Sequence, residues 1–328
     1  MKTFDVTALG ELLVDFTENG RSAQGNPIYE ANPGGAPCNV LSMLQKLGKK
    51  TAFIGKVGND AFGSMLIHTA KEQGINTDSL SVCENVPTTL AFVHTGKDGD
   101  RSFSFYRNPG ADMMLRHSDV DEKLLADTKI FHFGTLSMTD SEISETTKKA
   151  VENAQKAGAV ISFDPNYRPL LWNSEADARA AMWYGITQCE ILKISDDEIE
   201  FLTGERDIDK GIRIIMSKTT SKLICATMGK NGSKAYYGGK SIFCPAFINK
   251  NTIETTGAGD TFMACVLNFV LEKGLGGLAV EDLAEMLRFA GAAASIITTR
   301  KGALRVMPEK EEVEAFLREA GQKNLLIL

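Results

Sequence analysis

The residues best suited to chemistry lie together in the run Glu254-Thr255-Thr256-Gly257-Ala258-Gly259-Asp260. Two threonines precede a Gly-Ala-Gly turn, whose small side chains let backbone come close to a ligand. Behind it the stretch from Phe262 to Leu271 is nearly apolar all round, as a buried helix requires. The first turn of that helix would direct free N–H groups, and the positive end of the helix dipole, at whatever sits over Gly257–Gly259. Such a place suits phosphate. Asp260 is at odds with phosphate unless it accepts a proton from a hydroxyl about to attack it. The competing reading is an aspartate that merely caps the helix.

Further stretches can meet such a site. Asn32-Pro33-Gly34-Gly35-Ala36-Pro37-Cys38-Asn39 is a loop-to-helix junction. Gly34 and Gly35 allow close backbone approach and Asn39 gives or accepts hydrogen bonds, which suits a polyhydroxylated ligand or, as a lone motif, an ordinary capped turn. Asp15 ends an apolar run, where it can accept bonds from sugar hydroxyls or simply face water. Thr227-Met228-Gly229-Lys230-Asn231-Gly232 joins an apolar strand to a hairpin, and either lays backbone against a nucleotide or makes a tight turn. Gly238-Gly239-Lys240-Ser241 is a turn rather than a phosphate loop, because Lys234 stands where that loop needs a glycine. Phe262 likewise takes the place of the third glycine in a dinucleotide fingerprint, which counts against a Rossmann dehydrogenase.

The elements that must position these residues alternate. Strands are expected at 4–9, 12–16, 51–57, 129–134, 160–164, 191–195 and 223–227, with helices at about 37–47, 60–74, 141–157, 174–188, 196–217, 262–271 and 280–297. Strand-helix alternation implies a mainly parallel sheet covered on both faces, with ligands beyond the carboxyl ends of the strands. Two segments break the pattern. Residues 11–35 and 86–115 are expected to form a small β lid, the latter as two β-rich runs joined by a Gly96–Asp100 turn. A second hairpin is expected over 233–243.

Composition bounds the answer further. The chain has 328 residues, 43% hydrophobic and 24% charged, with net charge -6, and is expected to form one large domain over 1–328. No Lys/Arg block points to nucleic acid or a membrane surface. The six cysteines show no CxxC pairing and read as reduced core residues of a cytoplasmic protein. The four histidines lack metal-ligand spacing. Acidic residues at 5, 11 and 15 interrupt any signal peptide, and no apolar run reaches the roughly 20 residues of a membrane span.

Taken in order, GELLVDF, PGGAPCN, FDPNYRPLLW, KISDDEIEFLTG, TMGKNGS, TTGAGD and FAGAAASIITTRKGA closely resemble the signatures of the ribokinase-like (PfkB) sugar kinases over nearly the full length. The resemblance sets the cap-only reading of Asp260 aside. It implies a three-layer α/β/α sandwich with a small β-sheet lid, and transfer of the ATP γ-phosphate to a sugar hydroxyl. By the same resemblance Asp260 is the catalytic base, and Gly257, Ala258 and Gly259 supply the anion hole. Asp15, Gly34, Gly35 and Asn39 match sugar-binding positions; Thr227, Gly229 and Gly232 match the nucleotide turn. Ser195 and Glu198 occupy the family's N-x-x-E, in which the glutamate organises Mg²⁺ through water. Lys193, on the nucleotide side, and Arg168, on the substrate side, would neutralise phosphate charge.

The stretch FSFYRNPGADMML resembles the fructokinase branch, with Arg107 and Asp112 near the sugar and fructose 6-phosphate as product. Alternatives are a 2-keto-3-deoxygluconate kinase, with Tyr106 and Arg107 holding a carboxylate, or a ribokinase. From another class comes a sugar- or nucleotide-sensing protein without catalysis. Glu254 replaces the family's usual Asp, which puts activation by K⁺ in doubt, and Gly291 replaces the usual Asn or His against adenine. Phe92, Phe103 and Phe105 imply pairing of lids in a homodimer, with a monomer as the alternative.

Overall fold

The computed structural model describes residues 2–95 and 101–321, so the turn expected at 96–100 lies outside the described residues. The chain opens with β1 (Phe4–Leu9), β2 (Leu13–Arg21), β3 (Pro27–Gly34) and α1 (Ala36–Lys46). It continues through β4 (Thr51–Gly58), α2 (Ala61–Glu72), β5 (Leu80–Cys83), β6 (Leu90–Thr95), β7 (Arg101–Tyr106) and α3 (Glu122–Ala126). A regular alternation follows: β8 (Thr128–Phe133), α4 (Ser141–Lys156), β9 (Val160–Phe163), α5 (Glu175–Gln188) and β10 (Ile191–Ser195). Next come α6 (Asp196–Thr203), α7 (Ile208–Met216), β11 (Leu223–Thr227), β12 (Ser233–Tyr237) and β13 (Lys240–Cys244). Three helices close the chain: α8 (Ala258–Lys273), α9 (Val280–Ile297) and α10 (Lys310–Gly321).

The central sheet has nine strands in the order β13-β12-β11-β10-β9-β8-β1-β4-β5. Its strands are parallel except at the β11-β12-β13 meander, where β12 runs against both neighbours. Strand alternation assigns each side chain to one of two cores. Val6 and Ala8 of β1, with Leu223 and Cys225 of β11, pack against α1, α8 and α9. Leu9, Ile224 and Ala226 face the other way, onto α4, α5, α6 and α7. Helices therefore cover both faces of the sheet. From β1 the chain builds outward through β4 in one direction and through β8 in the other, so the sheet reverses its order of construction there. The crevice above the carboxyl ends of β1, β8 and β9 is where such a fold binds ligands.

A second sheet, in the order β3-β2-β6-β7, is built from the segments 11–35 and 86–115 that broke the alternation. Its β2–β3 hairpin extends the strand expected at 12–16 to Arg21 and adds a partner strand over Pro27–Gly34. Strand β5 and helices α3 and α10 were not among the elements expected from sequence. Helix starts follow local chemistry: Asp60, Asp140, Ser174 and Asp207 each accept a first-turn N–H. Gly238 and Gly239, at φ 55° and 77°, make the turn between β12 and β13, as expected of a hairpin rather than a phosphate loop.

Candidate active site

Helix α8 begins on Gly257, not on Asp260, so the cap-only reading of Asp260 is corrected by the geometry. Gly257 adopts φ 76°, a left-handed conformation in which a side chain would also stand 2.9 Å from Cβ of Ala303. Ala258, Gly259 and Asp260 fill the first three helical positions; the Ala258 N–H donates to the Thr255 carbonyl over 3.2 Å, and those of Gly259 and Asp260 have no carbonyl partner within the helix. The helix is buried from Asp260 to Val270, as its apolar sequence implies.

Asp260 is itself buried, and Asn39 Nδ2 donates to its Oδ2 over 2.8 Å. Asn166, held at φ 49° just after β9, also stands beside it and favours its charged form. Burial pushes the Asp260 carboxyl above its ordinary value; the Asn39 bond, Lys193, Arg168 and Asn166 partly offset this. Asn39 Oδ1 is buried with no hydrogen-bond partner, an acceptor open to an incoming hydroxyl.

Asp15 on β2 faces the same space. Its carboxylate oxygen fills the volume a side chain at Gly34 would need. Burial raises the Asp15 carboxyl to about 7, with Arg168 opposing and Glu254 and Asp260 adding to the shift. Gly35 is the N-cap of α1, at φ 128°. Arg168 is exposed at the rim and donates to the Tyr167 carbonyl over 3.2 Å. Its charge reaches both Asp15 and Asp260.

On the opposite side of the α8 N-terminus, buried Lys193 on β10 puts Nζ 3.0 Å from Asp164 Oδ2. The same ammonium lies 3.2 Å from where a Cβ at Gly259 would be, so Gly259 leaves it room beside the turn. Burial works against the Lys193 charge, but Asp164, Glu198 and Asp260 outweigh it and hold the amine above its ordinary value. Ser195 and Glu198 form a reciprocal capping box at the start of α6, and the other Glu198 oxygen accepts the Tyr167 N–H over 2.9 Å. Parallel register sets Ser195 beside Thr227 at the ends of β10 and β11. Gly229 and Gly232 bracket the turn that follows.

Two expected residues stand differently. Arg107 and Asp112 are buried and bound to each other at 2.7 Å. The guanidinium also donates to Thr139 Oγ1 and the Leu136 carbonyl, each at 2.8 Å, while Asp112 bonds Thr89. With its fork taken up inside the protein, Arg107 is not free to hold a substrate carboxylate, and that option is corrected. The pair braces the exit of β7. Glu254 Oε1 accepts the Gly302 N–H over 2.8 Å, tying the strand of residues before the turn to the loop after α9. Gly291 on α9 looks toward Phe247, whose ring lies 3.5 Å from the position of an added Cβ.

Sequence reading overlooked Asp164 and Asn166, although Asp164 stands directly after an apolar strand, the signal that singled out Asp15, and Asn166 follows two residues later. Among the described residues, no group of three or more His, Cys, Asp or Glu is placed to hold a metal ion by itself. Asp164 and Glu198 beside a phosphate-type turn instead fit a small divalent ion held mainly by phosphates and water. Asp164 Oδ2 has no aligned hydrogen bond, which leaves it lone pairs for such a shell. A cavity of about 630 Å³ between α8, α9 and α10 shares no residue with this cluster. No helix among the described residues is long and apolar enough to cross a membrane.

The family profile described as pfkB family carbohydrate kinase matches residues 3–310. A fructokinase of Solanum tuberosum is 38% identical over 318 residues, spanning 95% of this chain and 95% of that protein. The solved structure of a fructokinase with bound ATP from Xylella fastidiosa superposes with a TM-score of 0.89 at 30% identity, covering 98% of this chain and 100% of that one. A fructokinase from Vibrio cholerae O395, solved with fructose, ADP and calcium ion, gives a TM-score of 0.84 at 26% identity, covering 97% and 100%.

Proposed function

Because the chain belongs to the pfkB family of carbohydrate kinases, we propose that its cleft carries out phosphoryl transfer with Asp260 as the base. The protein is an ATP-dependent fructokinase, with the sugar 6-hydroxyl as the proposed acceptor. The observation that carries the assignment is the buried Asn39–Asp260 contact at the head of α8, beside the Gly257–Gly259 turn.

Asp15, the Gly34–Gly35 backbone and Asn39 hold the sugar hydroxyls. Asn39 and Asn166 aim the Asp260 carboxylate, which takes the hydroxyl proton as the sugar oxygen attacks the γ-phosphorus. The bond from that phosphorus to the β,γ-bridging oxygen breaks, and ADP leaves with the electron pair. Backbone N–H groups of the first turn of α8 face the developing charge, and Lys193 and Arg168 approach it from either side; fixed dipoles and cations there need no reorganisation. Thr227, Gly229 and Gly232 lie along the nucleotide, with Lys193 and Ser195 beneath it. A divalent cation, proposed to be Mg²⁺, would be held through water near Asp164 and Glu198, and when bound supplies neutralisation of phosphate charge. Arg107 and Asp112 act through the fold.

Closing of the small sheet over the sugar would exclude water, so that ATP is not hydrolysed in its place. The sheet also carries the proposed homodimer contact. Phe16 and Phe92 stack at 4.8 Å, Tyr29 and Tyr106 meet Phe92 at 5.5 Å each, and Tyr106 is 66% exposed. Such a row favours a partner. Light scattering at several concentrations tests it, and a single monomeric mass throughout would refute it.

The direct test is sugar-dependent ADP release with ATP and Mg²⁺ across fructose, glucose, mannose, ribose and 2-keto-3-deoxygluconate. Fructose is expected to be turned over best, and Asp260→Asn to lower kcat about 10²- to 10⁴-fold. Unchanged turnover in that variant would refute the base assignment; silence on every sugar with binding intact would favour a sensing protein.

A further inference from the structure

We propose that Glu11 is a positioning residue that sets the catalytic pair Asn39–Asp260 by capping helix α1 from another strand. Gly35, the N-cap, has no side chain with which to satisfy the first-turn donors, and no acidic residue lies in that turn. Glu11, directly beyond β1, supplies the missing acceptor: its Oε1 receives the Ala36 N–H over 2.7 Å. The neighbouring contacts show a close dock. A Cβ added at Gly35 would meet the Glu11 carbonyl oxygen, and one added at Gly10 would stand 2.6 Å from Pro37 Cγ.

What this dock fixes is the catalytic contact. The Asn39 N–H makes the first helical bond to the Gly35 carbonyl at 2.9 Å, and the Asn39 side chain reaches Asp260 from that same turn. A carboxylate at the head of α1 is favoured by the helix dipole, and its bond to an N–H is stronger than a neutral acceptor's. The residue is nevertheless costly to keep: Glu11 is 4% exposed, and burial raises its carboxyl to about 7 against the Ala36 bond and the nearby Arg107. A cap needed only for folding would be met at lower cost by Ser, Thr or Asp at position 35. Position 35 must instead stay small, and the cap comes from across the fold.

The inference rests on the kinase reading, and its test separates the two. Glu11→Gln should lower kcat about ten-fold, as expected for a small displacement of the base, with the KM for ATP unchanged. In an Asn39→Ala background the same substitution should cost about two-fold or less, because the contact it acts through is already gone. Equal losses in both backgrounds, or none, would overturn the role. Hydrogen exchange of the Ala36, Cys38 and Asn39 amides should quicken in Glu11→Gln, and unchanged exchange would overturn it whatever the turnover. If wild-type protein is inactive on fructose, the kinase reading fails while the exchange measurement still decides this one. Should Glu11→Gln not fold, Glu11→Asp, which keeps the charge but withdraws it by one methylene, is expected to show the same coupling and exchange.

Discussion

A carboxylate buried at the third position of a helix is favoured by the dipole and opposed by its desolvation. For Asp260 the desolvation wins, and its pKa stands above the ordinary aspartate value of about 3.9. A base must be ionised to act, so kcat/KM should fall as pH drops through that raised pKa, and the acid limb should lie nearer neutrality than a solvent-exposed aspartate would place it. The Asp260→Asn variant should lose this limb along with most of the rate. Asp15, raised to about 7, is expected to weaken sugar binding as pH falls through that value and it gains a proton. Arg107 shows the opposite case: a residue whose type suggests ligand binding, but whose donors are used by Asp112, Thr139 and Leu136.

At the scale of elements, the site is a meeting of helix and strand ends. The head of α8 brings the turn and the base, the head of α1 brings Asn39, the end of β9 brings Asp164 and Asn166, and β2 brings Asp15. Gly259 tests how closely these ends must fit. Alanine there is compatible with a helix, so stability should stay within about 1 kcal/mol of wild type. Its methyl would crowd Lys193 Nζ at 3.2 Å, and kcat should fall about ten-fold or more. Parallel measurement of melting and turnover checks both halves; unchanged turnover would show that Lys193 does not need that space. Alternation within the small sheet also revises the apolar patch expected on it. Phe92 pairs across from Ser104, while Phe105 pairs with Ala91, so Phe92 and Phe105 lie on opposite faces. The side chain of Phe103 lies outside the described residues. The aromatic row on the Phe92 face is formed with Phe16, Tyr29 and Tyr106 instead.

For the whole molecule, gathering carboxylates in one cleft has a consequence for stability. Glu11 and Asp15 are raised to about 7 by burial, whereas unfolded they ionise near pH 4. The folded chain therefore retains protons that the unfolded chain has lost, and their contribution to stability disappears as pH rises through about 7. His132, lowered to about 3 by burial and by Lys193, acts the other way, but only below its unfolded pKa of about 6.5. Between pH 6.5 and 8 the carboxyls stand alone among these groups. The ligand-free protein should melt at lower temperature at pH 8 than at pH 6.5, and Asp15→Asn should lessen the difference. A melting temperature that rises over this range would contradict the assignment.

Much of this was legible in the chain itself. Local pattern was sufficient for the alternating strands and helices, for the buried character of α8 and for the hairpin at Gly238-Gly239, because each depends on neighbours a few residues away. The order of GELLVDF, PGGAPCN and TTGAGD was sufficient for the family. The lid over 11–35 was legible as β structure but the extent of its β2–β3 hairpin was not, since the polar strands beyond Phe16 have no apolar alternation and take their register from each other, with β2 fixed against β6. Nor was the arrangement of the site: Asn39 and Asp260 are 221 residues apart in sequence and 2.8 Å apart in space. Which charged residues pair beside the head of α8, as Asp164 and Lys193 do, and which pair at the exit of β7, as Arg107 and Asp112 do, was settled by packing. Charge, hydrogen bonding and burial become properties of a residue only once its neighbours across the fold are in place.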